Sequence, residues 1–140
     1  MPRNSVGSVF DAKLIMKAAG LVATSARAEI LDMGAARFDG RAVIDITACE
    51  VASGDEKYVI IAQGSNSSTF ANTVVNLGAL PLGDSTTSLE TADTAATSRR
   101  EIMFSNQVDG TIYRYVSLYT QVVGTIATGI NFSAVLTTKA

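Results

Sequence analysis

Apolar residues recur at every second position in eight stretches of this chain, the rhythm of half-buried β-strands. The clearest stretch is Ile112-Tyr-Arg-Tyr-Val-Ser-Leu-Tyr-Thr-Gln-Val122, followed by Gly124 and then by Gly129-Ile-Asn-Phe-Ser-Ala-Val-Leu-Thr137. Two such runs joined through glycine predict a β-hairpin. In the first run Val116, Leu118 and Val122 point one way and Tyr113, Tyr115 and Tyr119 the other. In the second, Ile130, Phe132, Ala134 and Leu136 oppose Asn131, Ser133 and Thr137.

The same rhythm predicts strands over 28–34, 42–51, 73–82 and 100–105. In the 42–51 run Ile44, Ile46 and Ala48 share one face, and Val43, Asp45, Thr47 and Cys49 share the other. Residues 58–62 are apolar throughout, as in a central strand covered on both faces. Pro81 has no N–H to give a ladder, so the 73–82 strand reads as an edge or a strand exit. Asp39-Gly40 and Asp109-Gly110 carry turn chemistry, and Ser53-Gly-Asp-Glu56 predicts a further turn. Residues 64–69 read as an exposed polar loop with Phe70 as an anchor. Residues 9–19 fit a short helix or an extended segment, and 83–98 form a long polar loop. The fold class that follows is all-β: an antiparallel β-sandwich or jelly roll of about eight strands. Residues 1–8 are expected to be a flexible N-terminal arm, and 9–140 a single domain.

Composition narrows the functional classes. With 140 residues, 47% hydrophobic and 17% charged, the chain has material for one packed core. A net charge of −2 argues against nucleic acid, which needs a basic stripe. No apolar run approaches the ~20 residues of a membrane helix, and the first eight residues lack the apolar centre of a signal peptide. The expectation is a soluble protein that is not exported by a classical route, with no membrane partner.

Chemistry is scarce. There is no histidine, the usual general base and commonest metal ligand. Cys49 is the single cysteine, which excludes an internal disulfide and reads as a small buried hydrophobe. Asp32, Asp45, Glu50, Asp55, Glu56, Asp84, Glu90, Asp93, Glu101 and Asp109 are scattered among turns and outward strand positions, and read as solvated surface. Ser65-Asn-Ser-Ser-Thr69 has no base beyond Lys57, and no phosphate-cradling glycine motif occurs. No catalytic residue, cofactor or metal ligand is therefore assigned, and an enzyme is not expected. The tyrosines Tyr113, Tyr115 and Tyr119 are either sheet packing or a candidate oligomer interface, since tyrosine buries ring area while its hydroxyl stays wet.

Several fragments, in order, resemble the capsid cement (decoration) proteins of tailed bacteriophages, of the podophage jelly-roll type. They are Phe10-Asp-Ala12, Ile30-Leu-Asp-Met-Gly34, Val59-Ile-Ile-Ala-Gln-Gly-Ser65 with Phe70, Arg114-Tyr-Val-Ser-Leu-Tyr119, and residues 130–137. Residues 1–8 and 83–98 lie outside the resemblance. It implies a non-enzymatic virion protein on the outer surface of the capsid that bridges neighbouring major capsid proteins and stabilises the mature head. It further implies a homo-oligomer, for which a dimer is expected, with a trimer as the alternative. Arg3 and Val6 are the candidate capsid-binding residues of the arm. The rival expectations are another virion part, such as a head-completion or tail protein, and a carbohydrate-binding β-sandwich. The latter ordinarily presents tryptophan, which this chain lacks.

Overall fold

The computed structural model describes residues 14–82 and 98–138. The expected arm over 1–8, with Arg3 and Val6, and the expected loop up to residue 97 lie outside them. Ten strands occur in the described residues: β1 (Ile15–Val22), β2 (Ala26–Asp32), β3 (Asp39–Cys49), β4 (Lys57–Ser65), β5 (Val74–Leu82), β6 (Ser98–Ser105), β7 (Gln107–Val108), β8 (Thr111–Ile112), β9 (Tyr115–Val123) and β10 (Ile130–Thr138). Eight of them form two four-stranded antiparallel sheets, in the orders β1-β10-β3-β6 and β2-β9-β4-β5. The remaining pair, β7 and β8, is a small hairpin.

This strand order is that of a jelly roll. The pairs β1 with β10, β2 with β9, β3 with β6 and β4 with β5 are the successive rungs of one long antiparallel hairpin. Rolling that hairpin up adds the contacts of β10 with β3 and of β9 with β4, and closes two sheets over one core. The expected sandwich is therefore present, but the expected hairpin between the last two long strands is not. β9 and β10 lie in different sheets, and the glycine-bearing connection carries the chain across the sandwich. Gly129, at φ 105°, turns it there, and its α-carbon packs so close to the Val22 carbonyl that a side chain has no room.

The core is where the period-two pattern placed it. Ile130, Phe132, Ala134 and Leu136 of β10 are buried against Ile44 and Ile46 of β3, Ile102 and Phe104 of β6, and Tyr58, Ile60, Val116 and Leu118 from the facing sheet. Burial of a side chain of this size stabilises by roughly 1.5–3 kcal/mol. β4 is an inner strand, and Pro81 sits on the edge strand β5 opposite Val59, where its missing N–H breaks no ladder.

Three local expectations change. Asp39-Gly40 opens β3 rather than turning the chain, and Gly40 is needed because the Phe38 ring and the Thr137 carbonyl leave no space for a β-carbon. Cys49 joins the core with Ile44 and Ile46 while Ala48 does not, because the pairing with β10 steps from Ile46 straight to Ala48 and leaves Thr47 as an extra residue that reverses the faces at the end of β3. The 9–19 ambiguity resolves to the extended alternative where it is described, as β1. By contrast, Asp109 at φ 50° and Gly110 at φ 80° form the predicted turn, between β7 and β8.

Candidate functional site

The two sheets present different outer faces. On the β1-β10-β3-β6 sheet, outward charges are paired with each other. Arg99 holds Asp45 through two bonds of 2.6 and 3.0 Å, and Arg41 reaches Glu101 at 3.3 Å. Such exposed pairs satisfy themselves in water and ask little of a partner.

The β2-β9-β4-β5 sheet is built otherwise. Its register sets Arg27, Tyr119, Ile61 and Ala79 in one row, Ile30, Ser117, Gln63 and Asn76 in the next, and Asp32, Tyr115, Ser65 and Val74 in a third. Val59 and Pro81 extend the face beyond the first row. Tyr115 and Tyr119 thus share a face on the outside of the sandwich, as expected. Tyr113 does not: it precedes β9, and its Cβ lies where a side chain on Gly64 would have to go. The three tyrosines are two on one surface and one packed at the sandwich end.

Across the first two rows runs a cluster that sequence reasoning missed. The Arg27 guanidinium lies 4.1 Å from the Phe70 ring and 5.3 Å from the Tyr119 ring. Its Nη2–H donates to Gln63 Oε1 at 2.7 Å, and Gln63 Nε2–H donates to Asn76 Oδ1 at 2.8 Å. Its Nη1 is buried without a hydrogen-bond partner. Burial pushes the Arg27 pKa down, with the Tyr119 hydroxyl acting in the opposite sense. Alternation marks Arg27 as outward, but only the sheet register brings residues from 27, 63, 70 and 119 together. A bulge between Arg27 and Ile30 aims this part of β2, and the Ser117 hydroxyl donates to the Ala28 carbonyl there at 3.3 Å.

Phe70, expected as an anchor, does not join the core but stacks on Arg27 from a strained conformation, with φ at 57°. The loop after β4 enforces that conformation. The Phe70 N–H donates to the Ser67 carbonyl at 3.0 Å, and the Ser67 hydroxyl accepts from the N–H groups of Thr69 and Ala71 at 3.3 and 3.1 Å.

The two ends of the sandwich are braced by buried polar side chains, and here the surface reading of the carboxylates needs correcting. Glu50 and Glu56 are buried, at 5% and 0% exposure. Glu50 Oε1 accepts from the N–H groups of Ala127 and Thr128 at 3.0 and 3.1 Å, and Oε2 from Ala52 at 2.9 Å. Glu56 Oε2 accepts from Ser53 N–H at 2.9 Å. The Glu50 carboxyl is lowered to about 2, first by the neighbouring Glu56 side chain and then by the Thr128 N–H, while Glu56 Oε1 is buried without a hydrogen-bond partner among the described residues. Tyr58 donates to the Glu50 carbonyl at 2.7 Å, and burial, then the nearby Glu50 charge, pushes its phenol up. Asp55 accepts from the N–H and hydroxyl of Thr125, which lower its carboxyl.

At the opposite end Asn106 is fully buried. Its Oδ1 accepts from Phe38 N–H at 2.6 Å, and its Nδ2 donates to the carbonyls of Ala36 and Tyr113 at 3.3 and 3.1 Å. Arg114 clamps Asp32 at 2.7 and 2.8 Å. These groups are consumed in holding loops together.

A cleft of about 210 Å³ opens between β1 and β2, beside Lys17, Val22, Ala28 and Glu29. The Lys17 ammonium is already committed to the carbonyls of Ala18, Gly20 and Phe132 at 2.9–3.0 Å. Among the described residues, no group of three or more carboxylate or thiol side chains is placed to hold a metal ion. No helix of the described residues is long and apolar enough to cross a membrane. Comparison with protein-family models and with curated proteins gives no match.

Proposed function

We propose that this protein is a structural part of a virion, a capsid cement protein that binds the outer surface of a tailed-phage head and bridges neighbouring major capsid proteins. The observation that carries the reading is the contrast between the two outer faces. One is laced with self-satisfied ion pairs, and the other sets Tyr115, Tyr119, Val59, Ile61 and Pro81 on a rigid sheet, with the Arg114 and Arg27 guanidinium groups 5.3 Å from the Tyr115 and Tyr119 rings. Aromatic and apolar groups held on strands lose little entropy on contact, and such groups dominate interface energetics. The resemblance to cement proteins carried by residues 30–34, 59–65 and 114–119 points the same way.

Cementing is multivalent in this reading. A homo-oligomer, a dimer by preference, engages two or more capsomers, so that its second contact is effectively intramolecular and weak sites hold tightly. The arm residues Arg3 and Val6 add a further contact. The test mixes the purified protein with unexpanded and expanded capsid shells and measures co-sedimentation and stoichiometry. Saturable binding at a lattice-related ratio is expected, and absence of binding to both shells would reject the role. Copy number separates cement, at hundreds per particle, from a neck or tail part at about a dozen.

A further inference from the structure

We infer that Arg27 is an acceptor-seeking anchor on the outer face of β2-β9-β4-β5, covered in the free protein by Phe70, and that a carboxylate from an aspartate or glutamate on a protein partner takes its open Nη1–H. The inference adds a chemistry to the proposed shell contact and is testable apart from it.

Three observations converge on this point of the surface. Arg27 has no carboxylate partner among the described residues, whereas Arg37, Arg41, Arg99 and Arg114 each have one. Its polar and aromatic neighbours Gln63, Phe70 and Tyr119 are neutral, so a positive charge partly withdrawn from water faces no compensating charge among the described residues. Its Nη1 is buried and unpartnered, although an arginine fork matches a carboxylate with two parallel N–H donors.

The cover on this group is itself under strain. Phe70 stacks on the guanidinium from a backbone conformation that bulky side chains avoid, imposed by the Ser67 bonds. Turning the Phe70 ring aside uncovers Nη1 together with the Tyr119 ring. The Gln63–Asn76 amide row fixes the other arm of the fork, so the guanidinium is oriented before a partner arrives. A carboxylate placed there replaces an unmade hydrogen bond by a charge-assisted one, and the displaced Phe70 ring adds to the apolar contact around it.

The experiment titrates the full chain with a short glutamate-rich peptide, and with a glutamine peptide of equal length. The Arg27 side-chain N–H and the Phe70 ring are followed by NMR. Saturable movement of both signals with the glutamate peptide alone is expected. Arg27→Lys, which keeps the charge and loses the fork, should weaken this binding roughly tenfold or more. Phe70→Gly, which suits the positive φ and removes the cover, should strengthen it several-fold (roughly 2–5). Equal response to both peptides, or no saturable Arg27 movement in either the natural chain or Phe70→Gly, overturns the inference. If the glutamate peptide saturates Arg27 while no shell binds the protein, the inference stands and the shell reading falls.

Discussion

The two ends of the sandwich solve the same problem with different chemistry. At each, loops from both sheets meet, and their backbone N–H groups need acceptors once buried. The end formed by 50–56 and 124–129 uses ionisable acceptors, with Glu50 and Asp55 reaching across and Glu56 holding Ser53 within the first loop. The end formed by 33–38 and 106–114 uses the neutral amide of Asn106, with an exposed Asp32–Arg114 clamp beside it. Carboxylates give stronger bonds to N–H groups and make the joint answer to pH, whereas an amide both donates and accepts and does not titrate.

The sharpest way to break this comparison is Asn106→Ala. It leaves the Phe38 N–H and two carbonyls unpaired in a buried site, and should cost about 3 kcal/mol in urea unfolding. Next comes Glu50→Gln, which turns one of two accepting oxygens into a donor facing N–H groups, and should cost about 2 kcal/mol by the same measurement. Glu56→Gln should be the milder change at this end. Glu56 accepts one N–H bond where Glu50 accepts three, and an amide keeps an oxygen for Ser53, so its urea midpoint should stay closer to the natural chain than that of Glu50→Gln.

The pH dependence separates the ends directly. The folded Glu50 carboxyl titrates at about 2, below the ~4.3 of an unfolded glutamate, so its contribution is complete above about pH 5 and is lost as the pH falls toward 2. Hydrogen exchange between pH 5 and 2 should therefore show protection falling first at Ala52, Ala127 and Thr128. Phe38 and Tyr113, held by Asn106, should keep theirs longer. Asp32 is also lowered to about 2, by the Arg114 hydrogen bond and then the Gly34 N–H, but this pair is exposed. The smallest effect is accordingly expected from Arg114→Gln, a change in melting temperature within about 2 °C by calorimetry.

Much of the fold could be read along the chain because a strand with one buried face must alternate. Residues 130–137 and the Ile102 and Phe104 pair carry that alternation without interruption, and the structure buries the apolar set in both. Misreadings fell where a local pattern has two physical causes. Asp39-Gly40 has turn composition, but glycine is there for the close approach of Phe38. The glycines at 124 and 129 suggest a hairpin, yet they serve equally to cross between sheets. Cys49 and Ala48 exchanged faces because Thr47 is an extra residue in β3 that shifts parity there, which only the pairing with β10 reveals. Glu50 looks like a turn residue because much of its acceptor role depends on N–H groups more than seventy positions away, and the burial of Glu56, bonded locally to Ser53, is equally invisible along the chain.

By itself, then, the sequence determined an antiparallel β-sandwich, its principal core faces, its edge proline and its poverty in catalytic groups. These follow from side-chain period and residue chemistry, which are local. The pairing of strands into a jelly roll, the burial of the carboxylate pair, the separation of Tyr113 from Tyr115 and Tyr119, and the meeting of Arg27 with Gln63, Phe70 and Tyr119 were decided only by tertiary structure. Each depends on the register between distant strands, and that register is set by how the rolled hairpin closes its core.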